Sequence, residues 1–311
     1  MPYEGEGMTL RQWVAFLLVS VFSGAAFMWN KQALPELLPI QLLLYRFALG
    51  TIFLVTMALV SRQRWRYPAM AWVTPVIMGL FNFATPHFLI AWGQQFVDSS
   101  LTGVLITTTP LFTLFIAHGM LRDDRLTVGK VVGSFAGFFG VLVVMSHDFS
   151  GGISGSLLGK LSILGAAFSF GSSSVVGRRL SLPGMSPIMQ ALGANITATI
   201  ATGVAAAFSG PLVVPALPLT WGAVLCLGLF NSACMYPLFF YLLNNIGPSR
   251  TQMVTYVIPV VALLLGVLLL GEPLYWQLLA GGALIMAGIA TVNQRGRPAP
   301  ETAANPESAA S

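Results

Sequence analysis

Gly79-Leu80-Phe81-Asn82 recurs as Gly228-Leu229-Phe230-Asn231, 149 positions later, and each copy sets a carboxamide within an apolar run. An amide donates and accepts hydrogen bonds without ionising, so it suits recognition of a polar solute rather than bond-breaking. Left unpaired in hydrocarbon, it costs several kcal/mol. Asn82 and Asn231 must therefore face protein or a wet cavity. Two readings carry equal weight: hydrogen bonding between helices, worth about 0.6 kcal/mol in membrane bundles, and the lining of a solute site.

Other candidates surround this pair. His87 and Tyr236 occupy equivalent positions at the same offset, beside Pro86 and Pro237. His87 reads first as a structural residue and second as a proton carrier. Tyr236 and Tyr256 each offer a ring and a hydroxyl, suited to a ligand that is part polar and part apolar. Pro110 and Pro259, again an offset pair, remove a backbone donor and bend their helices. The freed carbonyls can bind substrate or be satisfied by Thr107, Thr108 and Thr109 in the first case and Thr255 in the second. Phe22 and Trp29 in the first apolar run, and Phe168 in the sixth, stand beside small residues, as they would around a cavity; Trp29, near the outer boundary, reads first as an interface anchor and second as cavity lining. Arg46 lies about 10 Å into the second run at 1.5 Å per residue. It reads first as snorkelling or ion-paired, and second as a fixed cation for a carboxylate passing through.

Several chemistries are missing. None of the ten Asp and Glu residues falls in the middle of an apolar run, whereas a buried carboxylate is the usual proton relay of a drug/proton antiporter. There is no HExxH, P-loop, GxSxG or CxxC sequence, so neither ATP-driven pumping nor a familiar intramembrane hydrolase is supported. Cys226 and Cys234 read as small buried hydrophobes. No metal and no cofactor are expected. A membrane-integral enzyme would need an acid, base or metal cluster, and the chain offers none.

The elements that position these residues follow from composition and period. The 311 residues are 56% hydrophobic and 8% charged, with a mean hydropathy of +0.79; a soluble domain carries about 25% charged residues. The net charge of +5 is no nucleic-acid signal, because it is spread over short loops. Ten apolar runs are long enough to cross a bilayer as helices: 10–30, 39–60, 70–95, 101–121, 128–146, 156–177, 186–208, 219–244, 250–270 and 275–293. The first is expected to be a retained helix rather than a cleaved signal. Residues 1–9 and 294–311 are expected to be disordered cytoplasmic tails. With the N-terminus in the cytoplasm, twelve of the fifteen Lys and Arg residues lie on the cytoplasmic side, as the positive-inside rule requires. Gly133, Gly137 and Gly140 on the fifth run, and Ala280, Gly281 and Gly288 on the tenth, predict close helix packing.

The 149-residue offset also pairs Trp72 with Trp221, Thr102 with Thr251, Gly133 with Gly282 and Asp123 with Glu272. A constant offset marks a duplication. Five helices per copy is an odd number, so the copies insert with opposite orientation. The expected fold is all-α, ten transmembrane helices in two inverted five-helix repeats, 10–146 and 156–293. Such repeats typically hold a solute site near the midplane between them.

With its tandem halves, Pro39 and Arg46 on the second helix, the central Pro110 with Gly133 and Gly140, and the second-copy Pro259, Gly271-Glu272-Pro273 and Gly281-Gly282, the chain resembles the EamA branch of the drug/metabolite transporter superfamily over 10–293. It is similar to the YddG-type exporters of aromatic and neutral amino acids within that branch. The resemblance implies an inner-membrane exporter of small metabolites working by alternating access, embedded in lipid, with a small-molecule substrate and no second subunit required. Asn82, Asn231, His87, Tyr236, Tyr256, Phe22, Trp29, Phe168, Thr108 and Arg46 are the expected cavity set, with Pro86, Pro110, Pro237 and Pro259 as kinks. A broad-specificity drug/metabolite or sugar-type permease is the alternative. At the offset Asn195 stands where the first half has Arg46, so the halves are not chemically equal.

Overall fold

A computed structural model describes residues 8–120, 128–146, 155–180, 185–251 and 253–293. The charged stretch with Arg122, Asp123, Asp124 and Arg125, the loop with Asp148, Gly151 and Gly152, the Pro183-Gly184 connection, residues 1–7 and the C-terminal tail with Arg295 and Arg297 lie outside the described residues, as do the side chains of Lys130, Arg178, Arg179 and Arg250.

Among the described residues the chain forms ten helical spans and no strand. They are α1 (Leu10–Ala33), α2 (Pro39–Val60), α3 (Ala69–Gly93), α4 (Ser99–Ile106 continued by Thr109–Met120), α5 (Val128–Met145), α6 (Gly155–Leu180), α7 (Pro187–Ala207), α8 (Pro218–Cys226, Leu227–Cys234 and Met235–Thr251), α9 (Val254–Leu270) and α10 (Trp276–Asn293). Six of them, α1 to α4, α7 and α8, are long and apolar enough to cross a membrane. Phe135, Phe139, Leu264 and Leu268 stand exposed, an apolar surface suited to lipid chains.

Local chemistry sets the ends. Thr9 and Gln12 form a reciprocal capping box at the start of α1. Prolines open α2, α7 and the first segment of α8, where a missing N–H is free of cost. Gly271 closes α9 at φ 66°, a left-handed conformation that glycine adopts without strain. One expected connection is overturned: α8 runs through Gly247-Pro248 to Thr251. Gly247-Pro248 lies past the membrane-length span Pro218–Phe239, where water can satisfy the carbonyl that the proline leaves without a partner.

The packing respects the duplication. α1 lies against α8 and α9, and α6 lies against α3 and α4. Exchanging the halves turns one set of neighbours into the other. α2 pairs with α7, and α5 with α10, across the same exchange. The α5/α10 seam is built from glycine. A Cβ on Gly140 would come 2.7 Å from Gly281 O, and one on Gly281 would come 2.6 Å from Gly140 O. Gly288 likewise sits on the backbone of Gly133 and Gly137.

Most polar contacts between elements gather at one end of the bundle, where α1–α2, α3–α4, α7–α8 and α9–α10 connect. Lys31 Nζ donates to Gln94 O at 2.9 Å and Val97 O at 2.8 Å. Gln94 Nε2 donates to Phe27 O at 2.9 Å. Glu36 accepts from the amides of Ala216 and Leu217. Gln41 Nε2 donates to Pro211 O at 3.0 Å, and Tyr45 OH to Val213 O at 2.9 Å. Glu272, between α9 and α10, caps the start of α4. Its carboxylate accepts from Ser99 N and Oγ, both at 2.7 Å, from Ser100 N at 2.9 Å and from Ser100 Oγ. Asp98, at the N-cap position itself, makes no side-chain capping bond.

Burial raises the Glu272 pKa, but hydrogen bonds from the two serines outweigh it, and the net shift is downward. Asp98 moves up, through burial and the neighbouring Glu272 charge, against Lys31 and Lys160. A carboxyl lowered in the folded state stabilises the fold above its unfolded pKa and loses that contribution as pH falls through the folded one. Thermal stability is therefore expected to drop as pH falls below about 4.5, the ordinary glutamate value, and to drop less steeply in Glu272→Gln. Melting curves of both proteins across that value check this; equal acid-side slopes would remove Glu272 as the cause.

Candidate functional site

Asn82 and Asn231 do not sit on ordinary α-helix. Gly79–Ala84 and Leu227–Cys234 are π-helical turns inside α3 and α8. The cause follows from the sequence: Pro86 and Pro237 lack a donor, and their rings crowd the carbonyl four residues back. Widening the turn relieves that crowding. Turns of this kind concentrate at functional sites. In α3 a side chain from the other half supplies a donor for a carbonyl in the widened turn: Ser169 Oγ of α6 donates to Phe81 O at 2.8 Å. At Pro110 the hydroxyls of Thr107, Thr108 and Thr109 donate to the carbonyls of Val104, Leu105 and Ile106 at 2.6, 2.7 and 2.7 Å. The helix breaks there between its two segments. Pro259 lies inside α9 without interrupting it.

Between the halves is a cavity of about 260 Å³, small beside the roughly 300–1,000 Å³ of drug-sized sites. Arg46, Asn82, His87, Asn231 and Tyr236 border it. So do Asn30, Thr107, Thr109, Thr251 and Thr255, whose depth the sequence leaves open. Its lining runs from Asn30, in the last turn of α1 near the polar clasp, to the α8–α9 junction at Thr251 and Val254 at the opposite end.

Five expected residues stand elsewhere. Phe22 and Trp29 stack on Phe230, at centroid distances of 5.0 and 6.0 Å. Phe168 is half exposed and meets Phe112 edge-on at 5.8 Å. Thr108 is fully buried. Tyr256 packs beside the cluster that contains Leu105 and Leu111.

Arg46 corrects the snorkelling or ion-paired expectation. It is 0% exposed. Its Nε donates to Ser232 Oγ at 3.3 Å, its Nη2 to Asn231 Oδ1, and its guanidinium lies 5.3 Å from the Phe47 ring centre. Nη1 has no partner. The described carboxylates offer no pairing: Glu36 and Glu272 are engaged at the clasped end, and Asp98 precedes α4 there. A guanidinium this deep snorkels only if a route to water lies along its stem; here Gly50 and Gly228 bring α2 and α8 together beside it, a Cβ on Gly228 meeting Leu49 Cβ at 2.7 Å.

The amide pair is unequal. Asn231 bridges Arg46 and Phe22 O, to which its Nδ2 donates at 3.2 Å. Asn82 accepts one bond, from Ser173 Oγ at 2.8 Å. His87 Nδ1 lies 2.7 Å from Phe83 O; a carbonyl only accepts, so Nδ1 carries the proton. Tyr236 stacks on Phe83 at 4.2 Å.

A duplicated bundle of membrane-length helices enclosing a polar-lined cavity between its halves defines a multi-pass membrane carrier. The chain matches the EamA-like transporter family over 11–146 and 157–294, and it belongs to that family, within the drug/metabolite transporter superfamily. It is 30% identical over 293 residues to a protein of Archaeoglobus fulgidus described as an uncharacterized transporter, covering 90% of this chain and 98% of the relative. It is 31% identical over 226 residues to the inner membrane transporter YedA of Escherichia coli, 71% of each chain. It is 27% identical over 280 residues to the transporter YoaV of Bacillus subtilis, 89% of this chain and 94% of that one. A solved crystal structure shares the fold at TM-score 0.65 and 22% identity, over 93% of this chain and 99% of the other.

Proposed function

We propose that this transporter exports small metabolites, aromatic and neutral amino acids foremost, by alternating access through the cavity between its halves. The observation that carries this reading is the lining: amides, hydroxyls and aromatic rings around one buried cation, with no carboxylate among the described lining residues. Such walls favour a solute with an apolar side chain and a compact polar head over a phosphate, which calls for several cations. A bare cation would find no counter-charge. The charge bias of the loops supports both termini on the cytoplasmic side of the bacterial inner membrane. In that orientation the clasped end faces outward and the cavity reaches toward the cytoplasm. The duplication within one chain supports function as a monomer.

Counterflow of labelled phenylalanine into liposomes holding the purified protein is expected to be saturable and competed by other neutral amino acids. Absence of exchange with any of them would sink the amino-acid reading.

A further inference from the structure

Four buried side-chain atoms among the described residues have no hydrogen-bond partner: Asn30 Oδ1, Arg46 Nη1, Gln94 Oε1 and Asn195 Oδ1. Only the first two belong to residues that border the central cavity. One is a cationic donor and the other a neutral acceptor. Both residues are essentially inaccessible, Asn30 at 1% and Arg46 at 0%. A buried polar atom without a partner costs about 1–3 kcal/mol, more when charged, and such an orphan calls for an explanation.

We infer that Arg46 and Asn30 are the two poles of a head-group site for an α-amino carboxylate. Arg46 Nη1 takes the carboxylate, and Asn30 Oδ1 takes a hydrogen of the ammonium. This rests on the reading of the cavity as the substrate site and names what it recognises. Ser232 and Asn231 already occupy Nε and Nη2, so the guanidinium is held in place with one edge left over. Holding it before the ligand arrives lowers the ordering cost of binding. The poles are unequal in strength. A carboxylate on a buried guanidinium is a charge-assisted bond, whereas an ammonium on a neutral amide has only one charged partner. The carboxylate therefore dominates affinity, and the ammonium adds selectivity. The offset partner of Arg46 is Asn195, which borders no part of the cavity. The site thus belongs to one half and gives the substrate a single orientation.

Calorimetric titration of the full-length protein in nanodiscs with L-phenylalanine, 3-phenylpropionate and phenethylamine tests this. The wild type is expected to bind phenylalanine, 3-phenylpropionate within about tenfold of it, and phenethylamine more than about thirtyfold more weakly. Asn30→Ala is expected to weaken phenylalanine about fivefold and to leave 3-phenylpropionate unchanged. Arg46→Gln is expected to weaken both carboxylates by about thirtyfold or more. If Arg46→Gln does not fold, Arg46→Lys decides: it keeps the charge and is expected to lose about tenfold on both carboxylates, because a lysine lacks the fork geometry. No wild-type binding of either carboxylate, equal losses on both ligands at Asn30→Ala, or undiminished carboxylate binding in the Arg46 variant that folds would overturn the site. Binding as expected without phenylalanine counterflow would leave the site standing and sink the transport reading instead.

Discussion

Alanine at Asn231 is expected to slow phenylalanine exchange by about thirtyfold or more, and alanine at Asn82 by only a few fold. The two amides hold equivalent places in the repeat, yet their partners differ. Asn231 Oδ1 accepts from the buried Arg46 guanidinium, and its Nδ2 ties α8 to Phe22 O on α1. Removing one partner of a buried, hydrogen-bonded charge costs about 2–5 kcal/mol, much of it from the charge left uncompensated. Each 1.4 kcal/mol is a factor of ten. Arg46 would swing toward other acceptors, and its free edge would no longer be presented. Asn82 gives up one neutral bond from Ser173, worth about 1 kcal/mol. Initial exchange rates of both variants at matched reconstitution decide the matter. Equal effects would return the pair to symmetric packing roles.

Alanine at Gly266 is expected to lower the melting temperature of the protein sharply, and to do so far less once Glu272 is alanine. A Cβ on Gly266 would overlap Glu272 Oε2 and Ser100 Oγ. The carboxylate sits on a flexible stem and can retreat, but only by surrendering its bonds to the first turn of α4. Each amide stripped of its acceptor there costs about 1–3 kcal/mol. In a Glu272→Ala background those bonds are already gone and only the Ser100 hydroxyl, which can rotate away, still overlaps, so the two changes are strongly non-additive, as contacting residues are. Melting curves of the wild type, the two single variants and the double variant give the coupling directly. Additive losses would show that Gly266 and the carboxylate act independently.

The architecture was legible because one arithmetic fact, the 149-residue echo, relates the third, fourth and fifth helices of one half to those of the other. The cavity was legible only in part, because hydropathy says that a residue is inside a helix and not which face it occupies. Phe168 and Phe170 show the limit. Successive helical residues turn by about 100°, so a step of two reverses the face; Phe170 borders the cavity and Phe168 points away. Thr107 and Thr109 flank a break in α4 and both reach the cavity while Thr108 does not, an arrangement that no regular period yields. The π-helical turns had a signal, a repeated Asn upstream of a proline, but proline alone announces a bend and not a widened turn. Arg46 was misread because its distance from the helix end resembles a snorkelling arginine. Its burial depends on Gly50 and Gly228 drawing α2 and α8 together, a tertiary fact.

The α5/α10 seam brings two backbones into contact at Gly140 and Gly281 and again at Gly137 and Gly288, with Val144 and Leu284 packed beside the first pair. Side chains that interlock can slip by exchanging rotamers, but bare backbone has no rotamers to exchange. Where backbone meets backbone the seam would resist translation more than tilt, which suits it to act as a fulcrum. In the alternating access proposed above, displacement would grow with distance from it, so the helices around the cavity would travel furthest.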